Sequence, residues 1–371
     1  MRKSTRRLLW TTTIGAGLAA AGWALRGLPA ELGADPTGER AERIRRSPQF
    51  RDGKFHNTVP ASVLPPGGGR EMLREFVFGD QQRTPTQPIP LVTPTDIDLA
   101  PGSLHVTWYG HSSALVEIEG RRVLFDPVWS ERCSPVQFAG PKRLHPVPVP
   151  VAALPPLDAI VISHDHYDHL DLGTVRALVA EQSAPFYVPL GVGAHFDRWG
   201  VPADRVVELD WDETADVAGV RLTATAARHF SGRRTVASDR SLWASWVVAG
   251  ESRRAFYTGD SGFFPGYEEI GAAYGPFDVT LIQIGAYGPG WPDIHMTPEE
   301  GIAAHLAVGG RLMVPLHWAT FVLSIHAWGE PADRAWVEAK ARGVTLAVPR
   351  PGERVDIDAP PAVDGWWQAI A

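Results

Sequence analysis

Short apolar runs alternate with turns marked by glycine and proline from residue 102 onward. Residues 104–109, 114–118 and 122–125 predict three strands, the last two joined by a turn at Glu119-Gly120. The run Asp158-Ala159-Ile160-Val161-Ile162 is apolar beyond its first residue and predicts a buried strand. A helix is expected over 172–180, with Asp171 placed to cap it. Residues 186–188 read as a short strand and 191–199 as a helix. Strands follow at 220–224, 242–248, 255–257 and 279–283. Thr297-Pro298-Glu299-Glu300 opens a helix, with Thr as cap, Pro in the first position and acids in the first turn. A strand at 311–314, a helix at 331–340 and a last strand at 344–348 complete the series. The alternation predicts an α/β fold of two mixed sheets sandwiched between helices.

The chain upstream is different. Residues 33–101 are polar, charged and rich in Pro and Gly, and Pro65-Pro66-Gly67-Gly68-Gly69 marks a loop. One short helix over 71–78 is expected there, within an arm that wraps a catalytic domain spanning 102–371. At the start, Met1-Arg2-Lys3-Ser4-Thr5-Arg6-Arg7 is cationic and residues 8–25 carry no charge. Residues 1–32 therefore read as an export signal or signal anchor, and Arg6-Arg7 suits twin-arginine export. The expected location is outside the cytoplasmic membrane, free or anchored at the N-terminus.

Ligand-type side chains gather after the buried strands. Ser163-His164-Asp165-His166-Tyr167-Asp168-His169-Leu170-Asp171 packs three imidazoles and three carboxylates into nine positions. So many polar groups beside a core strand are costly unless something satisfies them, and divalent metal does that with imidazole and carboxylate ligands. His229, Asp260 and His317 each follow another apolar run. Open α/β sheets place their sites at such strand ends.

This series of strand and ligand resembles the metallo-β-lactamase fold, an αββα sandwich. Trp108-Tyr109-Gly110-His111-Ser112-Ser113, Phe125-Asp126-Pro127-Val128-Trp129-Ser130 and Gly275-Pro276-Phe277-Asp278 narrow the resemblance. They are similar to the branch of N-acylphosphatidylethanolamine-hydrolysing phospholipase D, from about residue 104 to the C-terminus. The resemblance implies two divalent ions per chain, zinc first, with iron and manganese open. His164, His166 and His229 would hold one, Asp168, His169 and His317 the other, and Asp260 would bridge them. Asp260 and Asp168 thereby become the catalytic candidates, holding the ions between which a hydroxide attacks. Alternation lets His164 and His166 face one way from an extended loop, which agrees with that division.

Four more residues are weighed near the site. His111 is expected to hydrogen-bond rather than ligate. Tyr167 either contacts substrate or packs. Asp171 is a helix cap or a partner for a ligand histidine. His295 follows the loop Gly288-Pro289-Gly290-Trp291-Pro292, a candidate substrate contact. That loop is shorter than in the animal phospholipases, which leaves the head-group choice open. Trp291 and Trp366-Trp367 are weighed between core packing and exposure toward an apolar substrate or membrane surface.

Composition sets limits. The chain has 371 residues, a net charge of −7 and a single cysteine, Cys133. An acidic chain lacks the basic footprint of a nucleic-acid enzyme. One cysteine excludes an intrachain disulfide, and the site is left all nitrogen and oxygen. The first reading is a binuclear hydrolase of phosphodiesters in lipid-like substrates, with contact to a membrane surface. Rivals are a hydrolase of a lactone, β-lactam or other carboxylic ester or amide, and a non-catalytic metal-binding envelope protein.

Overall fold

The first sheet is built from strands whose alternate side chains go to opposite layers. In β4 (Ser113–Ile118), Ala114, Val116 and Ile118 enter the central core, while Leu115 enters the outer one. In β5 (Arg121–Phe125) and β6 (Ala159–Val161), Val123, Phe125, Ala159 and Val161 face inward; Leu124 and Ile160 face outward. A period of two with apolar groups on both faces is what a fully covered sheet requires. These facts come from a computed structural model describing residues 27–63, 65–97, 99–234 and 238–371. Residues 1–26 of the expected export signal lie outside the described residues, and its last positions, 27–32, include a short helix.

Upstream of β3 lie α1 (Leu28–Glu31), within the stretch read as the export signal, then α2 (Gly38–Arg46), a hairpin of β1 (Phe50–Arg51) and β2 (Lys54–Phe55), and α3 (Gly68–Phe78). The remaining elements of the first half are β3 (Leu104–Gly110), α4 (Leu172–Glu181), β7 (Phe186–Pro189), α5 (Gly193–Trp199) and β8 (Val206–Leu209). The second half contains β9 (Thr214–Val217), β10 (Val220–Thr225), β11 (Ser245–Ala249), β12 (Arg254–Tyr257), α6 (Gly266–Tyr274) and β13 (Phe277–Gln283). It continues with α7 (Pro298–Ala307), β14 (Gly310–Leu316), α8 (Glu330–Arg342), β15 (Thr345–Leu346) and β16 (Arg354–Asp356).

The two halves repeat one plan. One seven-stranded sheet runs β16-β3-β4-β5-β6-β7-β8, the other β15-β14-β13-β12-β11-β10-β9. Each begins as an antiparallel meander and continues as parallel strands, from β5 and from β12 onward. Between the sheets Trp108, Phe125, Trp246, Tyr257, Leu281 and Val314 share one core. Outside the first sheet, Val175 and Leu178 of α4 and Phe196 of α5 cover its other face. The predicted αββα sandwich is the observed fold.

Differences have local causes. Residues 242–244 are buried but lie outside β11, because Leu242 and Ala244 donate instead to the carbonyls of Leu190 and Ser163. Trp366 and Trp367 are core residues at 4% and 1% exposure, not surface aromatics. The C-terminal segment folds back so that their indole N–H groups donate to Val348 O and to Asp333 Oδ1. Among the described residues no helix is long and apolar enough to cross a membrane.

Candidate metal centre

The site lies where strands of both sheets end. β6 leads into His164, β10 into His229, β12 into Asp260 and β14 into His317. His111, after β3, and Asp126, after β5, complete the ring. His111, Asp126 and His317 adopt positive φ, at 51°, 38° and 66°. Left-handed backbone costs a non-glycine residue about 1–3 kcal/mol and survives only where surroundings over-determine it. At Gly259, by contrast, an added Cβ would sit 2.6 Å from Ser163 Cβ, so the Asp260 turn needs glycine to approach the ligand loop.

Nitrogens and carboxylate oxygens converge in two neighbouring sets, joined by groups that contain Asp260. His164, His166 and His229 form one, with His166 Nδ1 2.8 Å from His164 Nε2 and 3.2 Å from His229 Nε2. Asp168, His169, His317 and His111 form the other. Asp260 Oδ2 lies 3.1 Å from His169 Nε2 and 3.0 Å from His317 Nε2. It also lies 4.0 Å from His164 Nε2 and 3.9 Å from His229 Nε2.

The residues present fit metal ions. His169 Nε2, His317 Nε2 and Asp260 Oδ1 are buried without hydrogen-bond partners. Both nitrogens stand within 3.1 Å of Asp260 Oδ2 without forming a hydrogen bond to it, as ligands gathered around a cation do. Charge agrees with geometry. Burial favours neutral His164 and His229 and pushes both well below the usual histidine range. Burial also opposes charge at Asp260, but His169 and His317 beside it keep its carboxyl well below the usual range. Neutral imidazoles and ionised carboxylates are the forms that ligate.

A second ring of groups orients the imidazoles. Ser163 Oγ lies 2.9 Å from His164 Nδ1, Asp126 Oδ2 2.6 Å from His169 Nδ1, and Ile294 O 3.0 Å from His229 Nδ1. Each contact occupies the nitrogen facing away and leaves Nε2 inward. Asp126 is fully buried and also accepts from Ser163 N, Ser163 Oγ and Tyr257 OH at 2.6, 2.5 and 2.5 Å. Asp126, Ser163 and Tyr257 were not singled out as site residues from sequence. An acid directly after an apolar strand was the available signal for Asp126. Replacing Asp126 by Asn is expected to weaken metal affinity or turnover by about 10–100-fold. A zinc competition titration with parallel kinetics checks this, and unchanged values in both would refute the orienting role.

The four weighed residues separate. His111 Nε2 is 2.9 Å from Asp168 Oδ2, the hydrogen bond expected of it, and also falls among the nitrogens able to ligate. Asp171 corrects the histidine-partner alternative. Its carboxylate accepts from Gly173 N, Thr174 N, Thr174 Oγ1, Ser130 N and Ser130 Oγ, as cap of α4. Tyr167 is taken up by packing: its hydroxyl donates to Arg233 O at 3.0 Å, and the Arg233 guanidinium lies 4.0 Å over its ring. His295 faces the site, with Nε2 4.0 Å from Asp260 Oδ2. Burial pushes its pKa down to about 3.

A cavity of about 370 Å³ opens on these groups, lined by His166, Asp168, Asp260 and His295 on one side. Val63, Phe230, Ala286, Trp291, Ile294 and Leu323 make its apolar walls.

Comparison with known proteins agrees with this geometry. The β-lactamase superfamily domain matches residues 121–318. An uncharacterized protein of Mycobacterium tuberculosis is 51% identical over 98% of this chain and 99% of its own. The N-acyl-phosphatidylethanolamine-hydrolyzing phospholipase D 1 of Caenorhabditis elegans is 37% identical over 67% of this chain and 73% of its own. The metallo hydrolase Igni18 of Ignicoccus hospitalis superposes with a TM-score of 0.51 at 22% identity, covering 68% of this chain and 97% of that one.

Proposed function

We propose, from the premise that this chain belongs to the β-lactamase superfamily and is a metal-dependent hydrolase, that it hydrolyses a phosphodiester in an N-acylated phospholipid. The cavity carries this reading. Its polar floor is the metal centre and its walls are apolar, which suits an anionic group joined to a hydrocarbon chain. Beside it, α3 exposes Leu73, Phe76, Val77 and Phe78 at 65%, 52%, 58% and 81%. Its buried Met72 meets Gly288 and Gly290, in the loop that carries Trp291. A clustered apolar surface next to a site mouth favours contact with a lipid surface.

His164, His166 and His229 would hold one cation, Asp168, His169 and His317 the other, with Asp260 between them. Two divalent ions, zinc first, supply a water acidic enough to attack at neutral pH and positive charge for the phosphate oxygens. Asp260 Oδ1, which has no partner, is free to share with Oδ2 the holding of the cations. Neutral His295 can donate a hydrogen bond from Nε2 toward the reacting group. The walls hold the lipid chain and keep bulk water from the reacting centre. In balance, water adds to phosphorus, the bond to the head-group alcohol breaks, and the alcohol leaves with a proton.

A panel of phosphodiester lipids, lactones and β-lactams offered to zinc-loaded protein tests the reading. Turnover of N-acylphosphatidylethanolamine at least about tenfold above the others is expected. Preference for a lactone or β-lactam would replace the substrate class while keeping the hydrolase. Export belongs to the same proposal, and fully cytoplasmic native protein on cell fractionation would remove it.

A further inference from the structure

The arm does more than cover the catalytic domain. Residues 57–63 run between two segments that each carry a site histidine. Asn57 Nδ2 donates to His229 O at 2.8 Å, and Asn57 Oδ1 accepts from His229 N at 3.0 Å. One side-chain amide thus satisfies both backbone groups of a single residue, as a neighbouring strand would. His229 is itself fully buried, so those groups have no water to turn to. The strap then continues. Arg228 donates through Nε to Pro60 O at 3.2 Å and pairs with Asp293 at 2.9 Å. Ser62 N donates to Asp293 Oδ2 at 2.9 Å, and Val63 reaches the cavity wall. The other side of His229 is also fixed, since Nδ1 meets Ile294 O at 3.0 Å. Ile294 neighbours Asp293, so one strap touches both segments that set this imidazole.

We propose that Asn57 is a positioning residue that fixes His229 for metal binding, making the arm part of the metal centre. The inference rests on reading His229 as a ligand and is independent of the lipid reading of the cavity. Asn57 has this role because only a side chain that both donates and accepts matches a backbone N–H and C=O together. Asn57 Oδ1 also accepts from Trp243 Nε1 at 2.9 Å, but its loss leaves that indole satisfied, since the N–H donates to Ala227 O at 3.0 Å as well. The His229 backbone loses both partners, and its ring loses a fixed origin.

The test compares wild type, Asn57→Ala and Asn57→Asp as full-length protein. Aspartate still accepts from His229 N–H but cannot donate to the carbonyl. Zinc loss to a chromophoric chelator is followed, and thermal midpoints are measured with and without zinc. Asn57→Ala is expected to release one of its ions about tenfold faster, with Asn57→Asp between it and wild type. The rise in midpoint on adding zinc should shrink in the same order. Equal zinc release in all three proteins, with midpoints lowered alike whether or not zinc is present, would overturn the positioning role and leave a purely structural tie. Wild type that takes up none of zinc, iron or manganese would instead remove the ligand reading of His229. If Asn57→Ala fails to fold, Asn57→Asp decides by the same two measurements.

Discussion

Asp260→Asn is expected to lower kcat by about 10³-fold or more, a loss of ~4 kcal/mol of barrier reduction. The side chain keeps its shape but loses its charge. Among the described residues Asp260 is the one carboxylate within 4.0 Å of imidazoles from both sets: His164 and His229 on one side, His169 and His317 on the other. An amide offers one acceptor oxygen and cannot balance two cations. The fold should persist, because the core between the sheets is built from groups away from this turn. Circular dichroism, metal content and kinetics on one preparation check the prediction. Near-normal kcat with a full metal complement would show that Asp260 does not join the two sets. His317→Ala is the companion variant, expected to behave alike through loss of one ion.

Removing metal with a chelator is expected to abolish turnover, with zinc restoring it and two ions per chain at full activity. Elemental analysis giving one ion in fully active protein would end the two-ion reading. Metal and proton compete for the same nitrogens, which gives the effect a pH direction. Burial opposes charge on His317, but Asp260 and Asp168 outweigh it and bring its pKa up to about 9. His169 is raised for the same reason, against its own burial. A histidine raised above its unfolded value of about 6.5 adds stability below that pH, and loses it as pH rises toward 9. Metal-free protein should therefore lose stability across that window as the carboxylates lose their imidazolium partners. Zinc replaces the missing positive charge. Its gain in thermal midpoint should grow between pH 6.5 and about 8.5, and a constant or falling gain would contradict this competition.

The sequence was most readable where side chains face one environment along a whole run. β6 is buried on both faces and β13 nearly so, and their apolar stretches announce it. The ligand loop was readable because its residues are adjacent in sequence and their chemistry needs no distant partner to be seen. Edge elements were not. β9 has one buried residue in four, and β16 exists only because it pairs with β3, about 250 positions earlier. The outer ring of the site was hidden for the same reason. Asn57 and Tyr257 are unremarkable in their own neighbourhoods, Asp126 shows only as an acid after an apolar strand, and their roles arise from what packing brings beside them. Asp171 shows the converse. A carboxylate near histidines suggested a site partner, but the first turn of α4 offered closer donors and took it.

The repeat of one plan in both halves has a consequence for how the protein is made. Residues 164–169 come from the first half, while His229, Asp260 and His317 come from the second. During synthesis, the first half can emerge and fold with its three clustered histidines but without their counterparts. A nascent chain halted before residue 229 would thus offer only a partial, weak chelate, and tight capture must wait until His317 leaves the ribosome. Which ion the protein carries is then expected to follow the compartment where the finished chain first meets free metal.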